Sequence, residues 1–184
     1  MGRLETAMFA FKRAEDLDPG SLPALLGQAI VLLNGTEKDR VLDAMRLLEK
    51  AHALDSRQPT VLLLLADHLF FRGLVSQDQA QEETSMDSLR SGEHMSESAQ
   101  VCFDRAITLA LTALEHAKTN TLRSQACFQV ARSHHHAGRI YQAFQYYEQA
   151  SKLDECRKVY SHQSKSAPSF QGNVLAQFGL GQMY

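Results

Sequence analysis

An alanine, a bulky residue four positions on, and a second alanine three positions further recur along this chain. The pattern occurs as Ala7, Phe11 and Ala14, as Ala44, Leu48 and Ala51, and as Ala143, Tyr147 and Ala150. Spacings of four and three put all three side chains on one helical face. Two antiparallel helices approach closely only where side chains are small, so such alanines mark tight helix crossings. The bulky residue between them fills the gap toward a neighbouring pair. A helix pair of this kind leaves one apolar face uncovered, so the pairs must stack.

The cleanest pair lies between Ala126 and Asp154. Ala126, Cys127, Val130, Ala131 and His134 form the apolar face of its first helix, and Gly138 makes the turn. The four prolines, at 19, 23, 59 and 168, all fall between helical patterns. No stretch alternates apolar and polar long enough to argue a strand, so the chain is expected to be all-α.

Taken in order, 4–17 is a second helix without its first, periodic at Leu4, Ala7, Met8, Phe11, Ala14 and Leu17. A full pair follows at 22–55, with Gly35 expected to stop its first helix. The next unit spans 59–118, opened by Pro59, with Gly73 expected as the stop of its first helix. Inside it, 76–97 loses its apolar periodicity and carries six acidic residues against Arg90 alone, which reads as an acidic, mobile insertion. The second helix of that unit has two possible registers, Ala99–Phe103–Ala106 or Ala106–Ala110–Ala113. A fourth unit spans 124–154, a mildly basic linker 155–173, and a final first helix 174–184. A chain that opens and closes inside a unit is expected to be a segment of a longer array. Uncapped ends would favour self-association of the isolated chain.

Ala7 and Ala44 are 37 residues apart, as are Ala106 and Ala143. A period of about 34 with small insertions is that of tetratricopeptide (TPR) repeats. The implied fold is an α-solenoid of antiparallel helix pairs in a right-handed superhelix, whose first helices line the concave side. This places Leu63, Leu64, Phe70 and Phe71 there, with Phe128, Arg132, His135 and His136 of the next unit and Phe178 of the last. So apolar a groove suits a partner's helix or extended segment. The same residues serve equally as packing between units or as a seat for an N-terminal arm. Apart from Arg132, the equivalent positions hold mainly Leu, Gly, Gln and Phe, so a clamp for a C-terminal carboxylate is not expected.

Other functions lack their residues. With a net charge of −2, no global field selects nucleic acid or an anionic membrane. The most apolar stretch, 61–71, is interrupted by Asp67 and His68 and is too short to span a bilayer. Residues 1–13 show no signal-peptide core. Met1-Gly2 with Thr6 matches an N-myristoylation pattern, but an amphipathic helix fits those residues better. Cys102, Cys127 and Cys156 have no metal-ligand spacing and are expected to be free thiols. The triplet His134-His135-His136 is tempting as a metal site. Consecutive helical positions point about 100° apart, however, so the three cannot chelate one ion. His134 is expected in the core and the other two in the groove or on the surface. No nucleotide loop, nucleophile triad or enclosed carboxylate pair is present, so neither catalysis nor a cofactor or metal is expected.

Three stretches are more specific than a repeat consensus: LLADHLFFRG (64–73), ACFQVARSHHHAGRIYQAFQYYEQA (126–150) and FGLGQMY (178–184), with ALLGQAIVLL (24–33) ahead of them. In this order they resemble the large TPR scaffold subunit of the RNA polymerase II-associated factor (PAF) complex. Asp67 stands where that family has Asn, and Leu69 where it has Phe. The resemblance implies a nuclear, non-enzymatic scaffold. Its partners would be the other PAF subunits and the polymerase II machinery. Its role would lie in transcription elongation and the histone modification coupled to it. The other expectation consistent with the repeat is a free-standing cytosolic adaptor that binds a partner peptide in its groove.

Overall fold

Proline, threonine and one glycine set the helix boundaries. Pro59 opens a helix, and the Thr119 hydroxyl caps another by accepting from the Leu122 N–H at 3.3 Å. Gly138, at φ 75°, ends that helix. Its N–H donates to the His135 carbonyl, and the Arg139 N–H donates to the His134 carbonyl, which closes a Schellman turn. The computed structural model describes the backbone of residues 2–34, 38–86 and 92–161, and the side chains of 2–34, 40–79 and 99–153. Every element among the described residues is an α-helix. In order these are α1 (Arg3–Leu17), α2 (Leu22–Leu33), α3 (Lys38–Leu54), α4 (Pro59–Met86), α5 (Gly92–His116), α6 (Asn120–His136) and α7 (Ile140–Ser161).

The pairs are α2 with α3, α4 with α5, and α6 with α7, and α1 packs on α2. The small-residue stripes form the crossings. Ala44, Leu48 and Ala51 are fully buried, as are Ala143 and Ala150, with Tyr147 almost so. On α5 both candidate registers hold, because Ala99, Phe103, Ala106, Ala110 and Ala113 are all buried along one continuous stripe. The main core lies where three helices meet: Ala66 and Phe70 of α4, Phe103, Ala106 and Ala110 of α5, and Val130 of α6. A second core joins Leu25 of α2, Ala51 of α3 and Val61 of α4.

Three expectations change. Gly73 does not stop a helix but lies inside α4, where a Cβ would stand 2.6 Å from Cε1 of Phe103. Its missing side chain lets the Phe103 ring reach the α4 backbone. The supposed mobile insertion is largely helical, since α4 continues to Met86 and α5 begins at Gly92. Gln, Ala and Glu are good helix formers, and a helix needs no apolar stripe where nothing packs on it. Likewise α7 continues to Ser161, into the stretch expected as a linker from residue 155. The rest of that linker, the final first helix at 174–184 and the expected stop at Gly35 lie outside the described residues.

Helix α4 also revises the estimate of its apolar length. Pro59–Gln79 is long and apolar enough to cross a membrane by length and composition, with a mean hydropathy of 1.3. Here it is a central packing helix: Val61, Leu62, Ala66, Phe70 and Gly73 are buried, and it touches α3, α5 and α6. At the other end, α1 buries none of its residues, and Leu17 is 83% exposed. Polar links hold α1 down. The Glu15 carboxylate accepts from Gln28 Nε2 of α2 and from Lys50 Nζ of α3, each at 2.6 Å.

Candidate partner-binding surface

The surface is built from equivalent positions on two adjacent first helices, α4 and α6. Ala66 and Ala131, both fully buried, anchor the two registers. The next residue in each is charged: Asp67 on α4 and Arg132 on α6. They form an ion pair across 65 residues of sequence. One turn before them lie Leu63 and Phe128; one turn after lie Phe70 with Phe71, and His135 with His136. The repeat thus brings four equivalent pairs onto one face.

Arg132 is the centre of this face. Its guanidinium carbon lies 4.2 Å from the ring centroid of Phe70 and 5.5 Å from those of Phe71 and Phe128. Cation–π stacking of this kind contributes about 0.5–2 kcal/mol, more where water is excluded. The ion pair adds little, about 0–1 kcal/mol, because the Asp67 side chain is 44% exposed. The Arg132 side chain is itself only 16% exposed, and its Nε is buried without an acceptor among the described residues. Phe71 is 52% exposed and stands edge-on to Phe70 at 5.6 Å.

The expected groove residues divide into two sets. Phe71, Phe128, Arg132, His135 and His136 gather around the Arg132 head group with Asp67. Phe70 joins them through its ring face but belongs to the core, at 4% exposure. Leu63 packs at the edge of that same core. Leu64 lies elsewhere, against the Ala29, Ala44, Met45 and Leu48 cluster of α2 and α3. The register explains this: the α6 counterpart of Leu64 is Gln129, which is 5% exposed. Phe178 lies outside the described residues.

The three histidines part company, each toward a different helix. His134 stacks on Tyr146 of α7 at 5.9 Å, and His135 meets Tyr147 edge-on at 6.3 Å. His136 packs on Phe70 of α4 at 5.2 Å and on Phe103 of α5 at 6.0 Å. Among the described residues no group of three or more His, Cys, Asp or Glu is arranged to hold a metal. Burial lowers the pKa of His134 and His136, helped by Arg139 for the first and by His135 and Arg132 for the second. Both imidazoles are therefore neutral at physiological pH. Nearby, Arg139 pairs with Asp104 at 2.6 Å and fastens the α6–α7 turn to α5.

Sequence reasoning found the rings and Arg132 but treated Asp67 only as a break in an apolar run. The available signal was positional, since Asp67 and Arg132 each follow the small residue of their first helix. It also missed Phe103 and Tyr146, which lie on second helices and enter the surface from behind.

Residues 124–155 match the tetratricopeptide repeat family model. The chain carries a tetratricopeptide repeat. Over all 184 residues it is 27% identical to the RNA polymerase-associated protein CTR9 of Caenorhabditis elegans. The chain spans 12% of that protein's length. Among solved structures, that of MamA protein covers 90% of this chain and 89% of its own, at 18% identity and a TM-score of 0.33. The fold class of an all-helical array of antiparallel pairs thus agrees with both the repeat match and the packing.

Proposed function

We propose that this chain is a non-enzymatic scaffold segment that holds protein partners within the PAF complex on RNA polymerase II, in the nucleus. In that setting it supports transcription elongation and the histone modification coupled to it. The observation that carries the reading is the similarity to an RNA polymerase-associated protein along the whole of the chain. The surface on α4 and α6 is consistent with it: exposed Phe71, half-buried Phe128 and a stacked arginine are the residue types that dominate protein interfaces.

The test is recovery of the tagged full-length protein from its native cells, followed by identification of bound proteins. Co-purification of polymerase II and PAF subunits is the expected result. Recovery of neither, with a cytosolic location and micromolar binding to one linear peptide motif, would establish the adaptor reading instead. A Phe71→Ala, Phe128→Ala variant should lose partners while remaining folded.

A further inference from the structure

Three aromatic rings and a carboxylate arranged around one guanidinium make a cation site, and here the chain's own Arg132 fills it. We infer that this seat is exchangeable: a partner's arginine takes the place of Arg132 between Phe70, Phe71 and Phe128, with Asp67 as its counter-ion. The inference rests on the scaffold reading only for the source of the arginine.

Four observations point this way. The ring of Phe70 lies 4.2 Å from the guanidinium carbon, and Phe71 and Phe128 flank it at 5.5 Å, so the seat presents aromatic faces to a planar cation. The Asp67 side chain is 44% exposed, so a cation arriving from solvent reaches the carboxylate without unfolding α4 or α6. Phe71 is 52% exposed, so one wall of the seat already faces outward. Finally, the seated Arg132 leaves its Nε buried with no acceptor among the described residues. That penalty disappears when the side chain swings into water, which brings the filled and vacated states close in energy. The seat favours guanidinium over ammonium because it combines a stacking face with an oxygen acceptor in the plane of the cation.

The exchange is tested on the whole chain with Nα-acetyl-arginine amide. Acetyl-lysine amide, acetyl-trimethyllysine amide and acetyl-norleucine amide are the comparison probes. Arg132→Gln removes the internal competitor. If the seat is open a tenth of the time, this variant binds the arginine probe about tenfold more tightly than wild type. Adding Asp67→Asn abolishes the gain. In wild type, saturating arginine probe shifts the Arg132 Nε–Hε resonance toward its solvent-exposed position. The inference is overturned if the folded Arg132→Gln variant binds no probe, or binds norleucine or either lysine probe as well as arginine. Should that variant unfold, the wild-type resonance decides: an Arg132 signal unmoved by the arginine probe shows that the residue is fixed packing. These outcomes are independent of whether polymerase II co-purifies.

Discussion

Gly73 and Phe103 meet with no room between them: the phenyl ring of one occupies the space where the other would carry a Cβ. Phe103 is fully buried among Ala66, Phe70, Ala99 and Ala106, so its ring has nowhere to retreat. Gly73→Ala gains about 1 kcal/mol of helix propensity but overpacks this core by about 1–3 kcal/mol. We expect net destabilisation, seen as a lower urea midpoint at unchanged slope. Gly27→Ala makes the equivalent clash with Phe11, 2.4 Å away. Phe11 lies on α1, which buries none of its residues, so its ring can move and the loss should be smaller.

Leu64 and Phe71 separate packing from recognition. Leu64→Asp places a charge against the α2–α3 cluster and should lower stability by about 2–4 kcal/mol. Phe71→Ala removes a ring that is more than half exposed and should cost about 1 kcal/mol or less. Thermal unfolding followed by circular dichroism ranks the two. Partner capture should rank them the other way per unit of stability lost.

Stability should fall in two steps on acidification. His134 and His136 have folded pKa values below the ordinary 6.5, chiefly through burial. Between 6.5 and those lower values the unfolded chain binds more protons. Their contribution is thus complete above about pH 6.5 and is lost as pH falls through the folded values. His68 acts in the same sense, again through burial. The Glu15 carboxyl lies below its ordinary 4.5, held first by the hydrogen bond from Lys50 and then by that from Gln28. Its contribution is present above 4.5 and is lost as pH falls through its folded value. Urea midpoints across this range should show both descents. His134→Gln with His136→Gln should flatten the upper one and Glu15→Gln the lower.

Cys127 should be inert in the native chain. It is fully buried beside Ala131 and Tyr147, and burial pushes its thiol up to about 11. Only the thiolate is a nucleophile, so a maleimide should label it no faster than the chain unfolds. Labelling that rises in step with urea unfolding is the expected result. Rapid labelling in buffer would mean that the α6–α7 interface opens locally.

What could be read from the sequence was whatever repeats. The alanine stripes, the turn at Gly138 and the first-helix positions of Phe128, Arg132, His135 and His136 follow from a period, and periods are local. The two glycines show where this fails. At Gly138 the glycine provides a positive φ, which sequence context announces; at Gly73 it provides room for a ring on another helix, which it does not. The length of α4 was hidden because an exposed helix needs no apolar stripe. The link between Asp67 and Arg132 was hidden because it joins different units, and each residue alone resembles a surface charge.

The Gln77 side chain reaches the carbonyl of His136, the last residue of α6, at 3.3 Å. Residues 78–86 of α4 therefore lie past the end of α6, a run of about 13 Å at 1.5 Å per residue. Added residues lengthen this unit along the axis of its own helix pair, where they leave its contacts with the units on either side unchanged. The array can thus carry a prong of variable reach without any change in its pitch. Evolution could lengthen or trim it freely, while every insertion elsewhere would have to respect the next unit's seat.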